Sequence, residues 1–154
     1  MVASGDTILD ALRLRLDVVA AYTDRQFHWP DEIGDKFPAL LIVPGGVTPR
    51  DFPDDHRSGS VDRRVHIFGY VFSQSAPSTE LEGLQAEVLR MLHTEPYDLG
   101  VGIHQINWLG TDSAASAFSV LGFNVGFSAP IGVCRMDFSL WHEINYQAGA
   151  YLGY

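Results

Sequence analysis

A chain of 154 residues with 46% hydrophobic and 19% charged content can bury one good core, which excludes a disordered or membrane-spanning chain and makes a single domain over 1–154 the expectation. Nineteen acids against ten bases give a net charge of -9, and Lys36 is the single lysine, so the composition is poorly suited to neutralising the phosphates of duplex DNA. One cysteine, Cys134, excludes an intramolecular disulfide and any multi-cysteine zinc site.

The opening MVASGD lacks the basic and apolar regions of a signal peptide, so synthesis in the cytoplasm is expected. A helix over 7–23 follows, with Asp6 or Thr7 as its cap, Asp10 at capping-box spacing from Thr7, and Ile8, Leu12, Leu16 and Val19 as its apolar stripe. Arg13, Arg15 and Asp17 interrupt this segment, which is why it reads as a surface helix and not a membrane span. After Phe27-His28-Trp29-Pro30 and the polar DEIGDK, the run FPALLIV at 37–43 is too short for a helix and reads as a buried strand closed by Pro44-Gly45-Gly46.

Residues 44–62 mix prolines, glycines and charges of both signs, the composition of a long functional loop or a hairpin tip. A strand over 63–73 sets Val65, Ile67 and Val71 on one face and His66, Phe68, Tyr70 and Phe72 on the other, so it is expected in the middle of a sheet with a helix on one face and room for a neighbouring chain on the other. The next helix, 78–93, is capped by Ser78 or Thr79, carries Glu80 and Glu82 at its positive end and Arg90 and His93 at its negative end, and has the stripe Leu81, Leu84, Val88, Leu92. Another strand is expected over 101–109. Residues 110–132 carry one charge, four glycines and Phe118, Phe123 and Phe127, which suits a covered arm or hairpin packed on something.

The last long run, 133–146, alternates cleanly: Cys134, Met136, Phe138, Leu140, His142 and Ile144 interleave with Val133, Arg135, Asp137, Ser139, Trp141 and Glu143. Extended, it would reach about 46 Å, whereas a compact chain of this size is about 38 Å across. The strand must bend or outrun its own globule. Outrunning leaves unpaired backbone and half an apolar face to bury, a property more natural in an assembly subunit than in a small monomeric enzyme.

The residues that carry chemistry do not converge in sequence. Cys134 and His142 share a face but stand about 26 Å apart, too far for a nucleophile and its base. Asp137 and Glu143 are about 20 Å apart, beyond the span of paired glycosidase carboxylates. Six histidines, His28, His56, His66, His93, His104 and His142, show no metal-ligand spacing, although His66, His104 and His142 lie on three expected strands. The glycine clusters match no phosphate-binding pattern and read as turns. We therefore expect no enzyme, no cofactor and no metal.

Two features point to interfaces. Arg50, Asp51, Asp54, Asp55 and Arg57 form a mixed-sign cluster that serves either as a solvated tip or as a docking surface setting register through charge. Phe118, Phe123 and Phe127, with Trp141 on the last strand, suit an aromatic contact between subunits. Arg13, Arg15, Arg57, Arg63 and Arg64 are spaced among acids. An acidic surface of this kind keeps a subunit soluble or lets a polyanion pass without holding it.

The order of ILDALRLRLDVV, FPALLIV, a Pro/Gly-rich loop, RRVHIFGYVFS, ELEGLQAEVLRML, DLGVGIHQINW and APIGVCRMDFSLWHEINY resembles the tail terminator proteins of long-tailed bacteriophages, the minor tail protein U type. The resemblance covers nearly the whole chain and rests on element order and apolar pattern. It implies an α+β fold, with two amphipathic helices packed on one face of a mostly antiparallel sheet, in a subunit located in the virion. It further implies a ring, expected to be hexameric, that caps the tail tube and meets a head-neck or connector protein, while DNA passes through the channel unbound and no membrane is involved. A neck or head-tail completion protein fits the same pattern. A small metal-dependent hydrolase would need His66, His104 and a carboxylate such as Asp137 to meet.

Overall fold

The structure, a computed structural model, describes residues 4–51, 58–73, 77–114, 118–120, 123–125 and 131–145, with backbone alone for Pro77, Asn145 and the strand residues from 113 to 125. The first helix, α1 (Gly5–Leu16), buries Ile8, Leu9, Leu12 and Leu16, positions that fall on one stripe at helical spacing. Its cap is Ser4, earlier than the sequence suggests, with the Ser4 hydroxyl accepting from the Thr7 amide at 3.2 Å. It also ends earlier, at Leu16, because the β-branched Val18 and Val19 follow and the Thr23 hydroxyl donates to Asp17 at 2.7 Å to turn the chain.

The chain next forms β1 (Tyr22–Asp24), α2 (Pro30–Ile33) and β2 (Ala39–Asp51), with β1 parallel to β2. Apolar periodicity signals neither β1 nor α2, although Pro30 at the first helical position and the Trp29 amide donating to Glu32 at 2.9 Å do mark a helix start. Strand β2 does not close at Pro44-Gly45-Gly46. It crosses them as a bulge and pairs on with β3 (Ser58–Phe72), so most of 44–62 is hairpin strand and only 52–57 lies outside the described residues. Gly45 makes this crossing possible, since a Cβ there would stand 2.8 Å from the Arg64 Cβ and 3.1 Å from the His66 Nε2.

Helix α3 (Pro77–Leu92) buries the expected stripe of Leu81, Leu84, Val88 and Leu92. Strand β4 (Gln105–Ala114) starts later than 101 because Leu99, Gly100 and Gly102 all adopt positive φ, which an extended strand cannot accommodate. Within 110–132, the first residues therefore complete β4, and β5 (Phe118–Val120) pairs with β6 (Phe123–Val125) as a separate two-stranded ribbon. The last strand is β7 (Ile131–Asn145).

The fold is α+β. Five strands lie in the order β1-β2-β3-β7-β4, antiparallel apart from β1 against β2. Residue alternation assigns the faces. On one face, Leu40, Ile42, Val65, Ile67, Val71, Cys134, Met136, Phe138 and Leu140 pack beneath α1 and α3. Gly69 lets α3 come down on the sheet, because a Cβ there would lie 2.9 Å from the Cys134 Sγ and 3.1 Å from a Leu84 methyl. On the other face, Phe27, Trp29, Ile33 and Phe37 cover Ala39, Leu41, Phe68, Tyr70 and Val133, and the buried Tyr70 hydroxyl donates to the His28 carbonyl at 2.6 Å.

The long last strand is not left unpaired. All fifteen residues of β7 are in continuous register with β3, and β4 flanks it from Val133 to Trp141. Two long strands share the extent that one alone would have carried past the globule.

Candidate functional site

The aromatic cover over the second sheet face reaches only the end where β1 lies. Beyond it, alternation brings polar side chains from four strands onto one surface: Arg50 from β2, Asp62, Arg64 and His66 from β3, Arg135, Asp137, Ser139, Trp141 and Glu143 from β7, and Asp112 from β4.

Two clusters organise this surface. In the first, the Arg50 guanidinium lies 3.9 Å from the centre of the Trp141 ring and donates to Asp62 at 3.2 Å. His104 stands against the same indole with ring centroids 4.9 Å apart, held there by its backbone amide donating to the Trp141 carbonyl at 2.8 Å. Its Nε2 is 3.6 Å from Glu143. Trp141 thus has a guanidinium over its ring and a tilted imidazole against it, an amphipathic aromatic of the kind enriched at protein interfaces. In the second cluster, His66 Nδ1 is 2.6 Å from Asp137, and Arg135 donates to Asp112 at 3.1 Å and to Asp137 at 3.3 Å. Opposite charges alternate across the strands and offer a partner many fixed points of charge but little net charge.

The expected interface residues fall into three groups. Arg50 and Trp141, far apart in sequence, are brought into contact, and Asp51 is exposed at the end of β2. Phe118 and Phe123 lie on the paired ribbon, facing Val125 and Val120 in register, with their side chains outside what is described. Asp54, Asp55, Arg57 and Phe127 lie outside the described residues. Sequence reasoning missed His104 and Glu143 as neighbours of Trp141, because that contact depends on the register of β4 against β7.

The spacing of arginines among acids holds only in part. Arg15 donates instead to the carbonyls of Met91, Thr94 and Pro96 at 3.0, 2.6 and 2.9 Å, tying α1 to the end of α3. Asp6 and Asp10 are partnered by Arg25, at 2.7 and 2.9 Å. Arg63 points away from Asp62 to the helix side of the sheet, where it is buried and its Nε donates to His142 Nε2 at 3.1 Å. Burial holds the His142 pKa below its ordinary value, with the Arg63 charge acting in the same direction against a bond to the Glu143 carbonyl.

The requirements of hydrolase chemistry are met only in part. His66 and Asp137 do meet, but His104 belongs to the Trp141 cluster, four residues along β7 and about 13 Å away. Among the described residues, no group of three or more His, Cys, Asp or Glu side chains is placed to hold a metal ion. No described helix is long and apolar enough to cross a membrane. Burial pushes the Cys134 thiol up to about 12, which keeps it protonated and unreactive. In comparisons with known proteins, no family model and no curated sequence matches the chain.

Proposed function

We propose that this chain is a structural subunit of a long-tailed phage virion, a tail terminator that assembles into a ring on the end of the tail tube and presents a joining surface to the neck. The observation that carries this reading is the open, charge-balanced half of the sheet around Trp141, next to edges that have room for neighbours. Among the described residues, no strand pairs with the outer side of β2 beyond Leu41 or with the outer side of β4, where Trp108 and Leu109 are 49% and 46% exposed. Pro44 and Pro49 on the β2 side remove backbone donors and discourage indiscriminate strand addition. The order of elements supports the same reading.

The test has two arms. Light scattering and low-resolution imaging of the purified protein should show a ring or a concentration-dependent polymer, and the protein should cap purified tail tubes. A species that stays monomeric at high concentration and leaves tubes uncapped would overturn the proposal, while binding to portal assemblies in place of tubes would reassign it to head-tail completion.

A further inference from the structure

The two edges of the sheet that no described strand covers match each other. Strands β2 and β4 are three antiparallel steps apart, with β3 and β7 between them, so they run in opposite directions. Their open stretches also lie at one height. Across the sheet, Ile42 lines up with Ile67, Met136 and Thr111, and Thr48 with Asp62, Trp141 and Gln105. We propose that β4 of one copy pairs antiparallel with β2 of a second copy, through 105–111 and 42–48, so that the sheet continues head to tail from subunit to subunit. This rests on the reading that copies of the chain assemble, and it names the contact.

The backbone groups of the two edges are in phase. On the β1 side, the Pro38 carbonyl accepts from the Ala21 amide at 2.8 Å, so alternation turns Ile42 and Pro44 outward too. Val47 faces the same way, because its partner Arg63 lies four residues from Ile67, the partner of Ile42. On β4, the Trp141 carbonyl accepts from the His104 amide at 2.8 Å. Gln105, Asn107 and Gly110, the partners of Trp141, Ser139 and Asp137, therefore face β7, and Ile106, Trp108 and Thr111 face outward. The outward residues meet as Ile42 with Thr111, Pro44 with Trp108 and Val47 with Ile106. Each edge takes five steps over this span where β3 and β7 take four, because each carries a bulge at nearly the same height. Pro44 has no donor, but its carbonyl can accept from the Trp108 amide.

The side chains agree. In a chain of net charge -9, neither 42–49 nor 105–111 holds a charged residue, although open edges are ordinarily blunted by charge. Pro44 and Trp108, aligned with Val65 and Phe138, share the helix side of the sheet and are both exposed, an apolar pair that the contact would cover. A head-to-tail contact generates rings or filaments, whereas a two-fold contact stops at a dimer.

The test is an engineered disulfide in the full chain. Thr48 and Gln105 are exposed and share a face and a height. Within one chain they stand three strand spacings apart, about 14 Å, beyond the reach of a disulfide. Across the proposed contact they are a directly opposed pair. Under mild oxidation, Thr48→Cys combined with Gln105→Cys should give a ladder of cross-linked species on a non-reducing gel. Neither single variant should cross-link, since the native Cys134 is buried, and an equal mixture of the two singles should stop at dimers. Trp108→Lys, added to the double variant, should abolish the ladder. Cross-linking of Gln105→Cys alone would mean that β4 meets β4 about a two-fold axis and would overturn the inference. Rings seen by imaging with no ladder from the double variant would overturn it too, leaving the terminator reading intact. A ladder from a protein that fails to cap tail tubes would uphold the contact and overturn that reading. A monomer that forms no ladder overturns both.

Discussion

Gly69 and His142 show how single positions set the tolerance of this fold. At Gly69 the Cys134 sulfur and a Leu84 methyl already occupy the space a side chain would need. Gly69→Ala should therefore cost about 1–3 kcal/mol through overpacking, read as a lower urea midpoint with an unchanged slope. His142 makes stability depend on pH. Its folded pKa lies below its unfolded value of 6.5, so the unfolded chain binds more protons as the pH drops below that value. The contribution is fully present above pH 6.5 and is lost as the pH falls toward the folded pKa. Urea midpoints of the wild type should fall between pH 7.5 and 6, and His142→Asn should show a smaller fall over the same interval. An equal pH dependence in the variant would mean that other groups titrate in this window.

At the scale of elements, the Arg50 and Trp141 pair links the end of β2 to β7 across β3. A cation over an aromatic ring at an exposed site contributes about 0.5–1 kcal/mol, so Arg50→Ala should leave thermal unfolding close to wild type. If the surface is an interface, the same change should move the assembly toward smaller species by light scattering. Retention of the wild-type assembly would remove Arg50 from the contact. The elements themselves were largely legible in the sequence. The Leu81, Leu84, Val88, Leu92 stripe and the alternation of 65–72 and 133–144 announce α3, β3 and β7, because each buries a face at a fixed period. The extent of β2 was not legible, since Pro44-Gly45-Gly46 reads as a terminus while the structure uses it as a bulge within a paired strand. The short β1 and α2 carry too few residues to show a period. The site was legible only as separate residues: Arg50 and Trp141 each stood out, but their contact is a product of strand register, which alternation alone does not supply.

For the whole molecule, the charge balance makes the sharpest prediction. Of the described arginines, Arg25, Arg50, Arg90 and Arg135 are engaged by carboxylates, Arg15 by backbone carbonyls and Arg63 by His142. Among the described residues, few cations are left to displace counterions from a phosphate backbone. A gel shift with duplex DNA should show no complex even at low salt, where such contacts are strongest. Salt-sensitive micromolar binding would count against a channel that lets DNA pass. The topology has one more effect, on the order in which the chain can fold. Strand β7 is made after every other strand of the sheet, yet it sits between β3 and β4. During synthesis those two strands have no partner to join them, and the Trp141 surface does not exist. A chain released before β7 is translated therefore lacks the strand that joins β3 to β4 and should be lost to proteolysis.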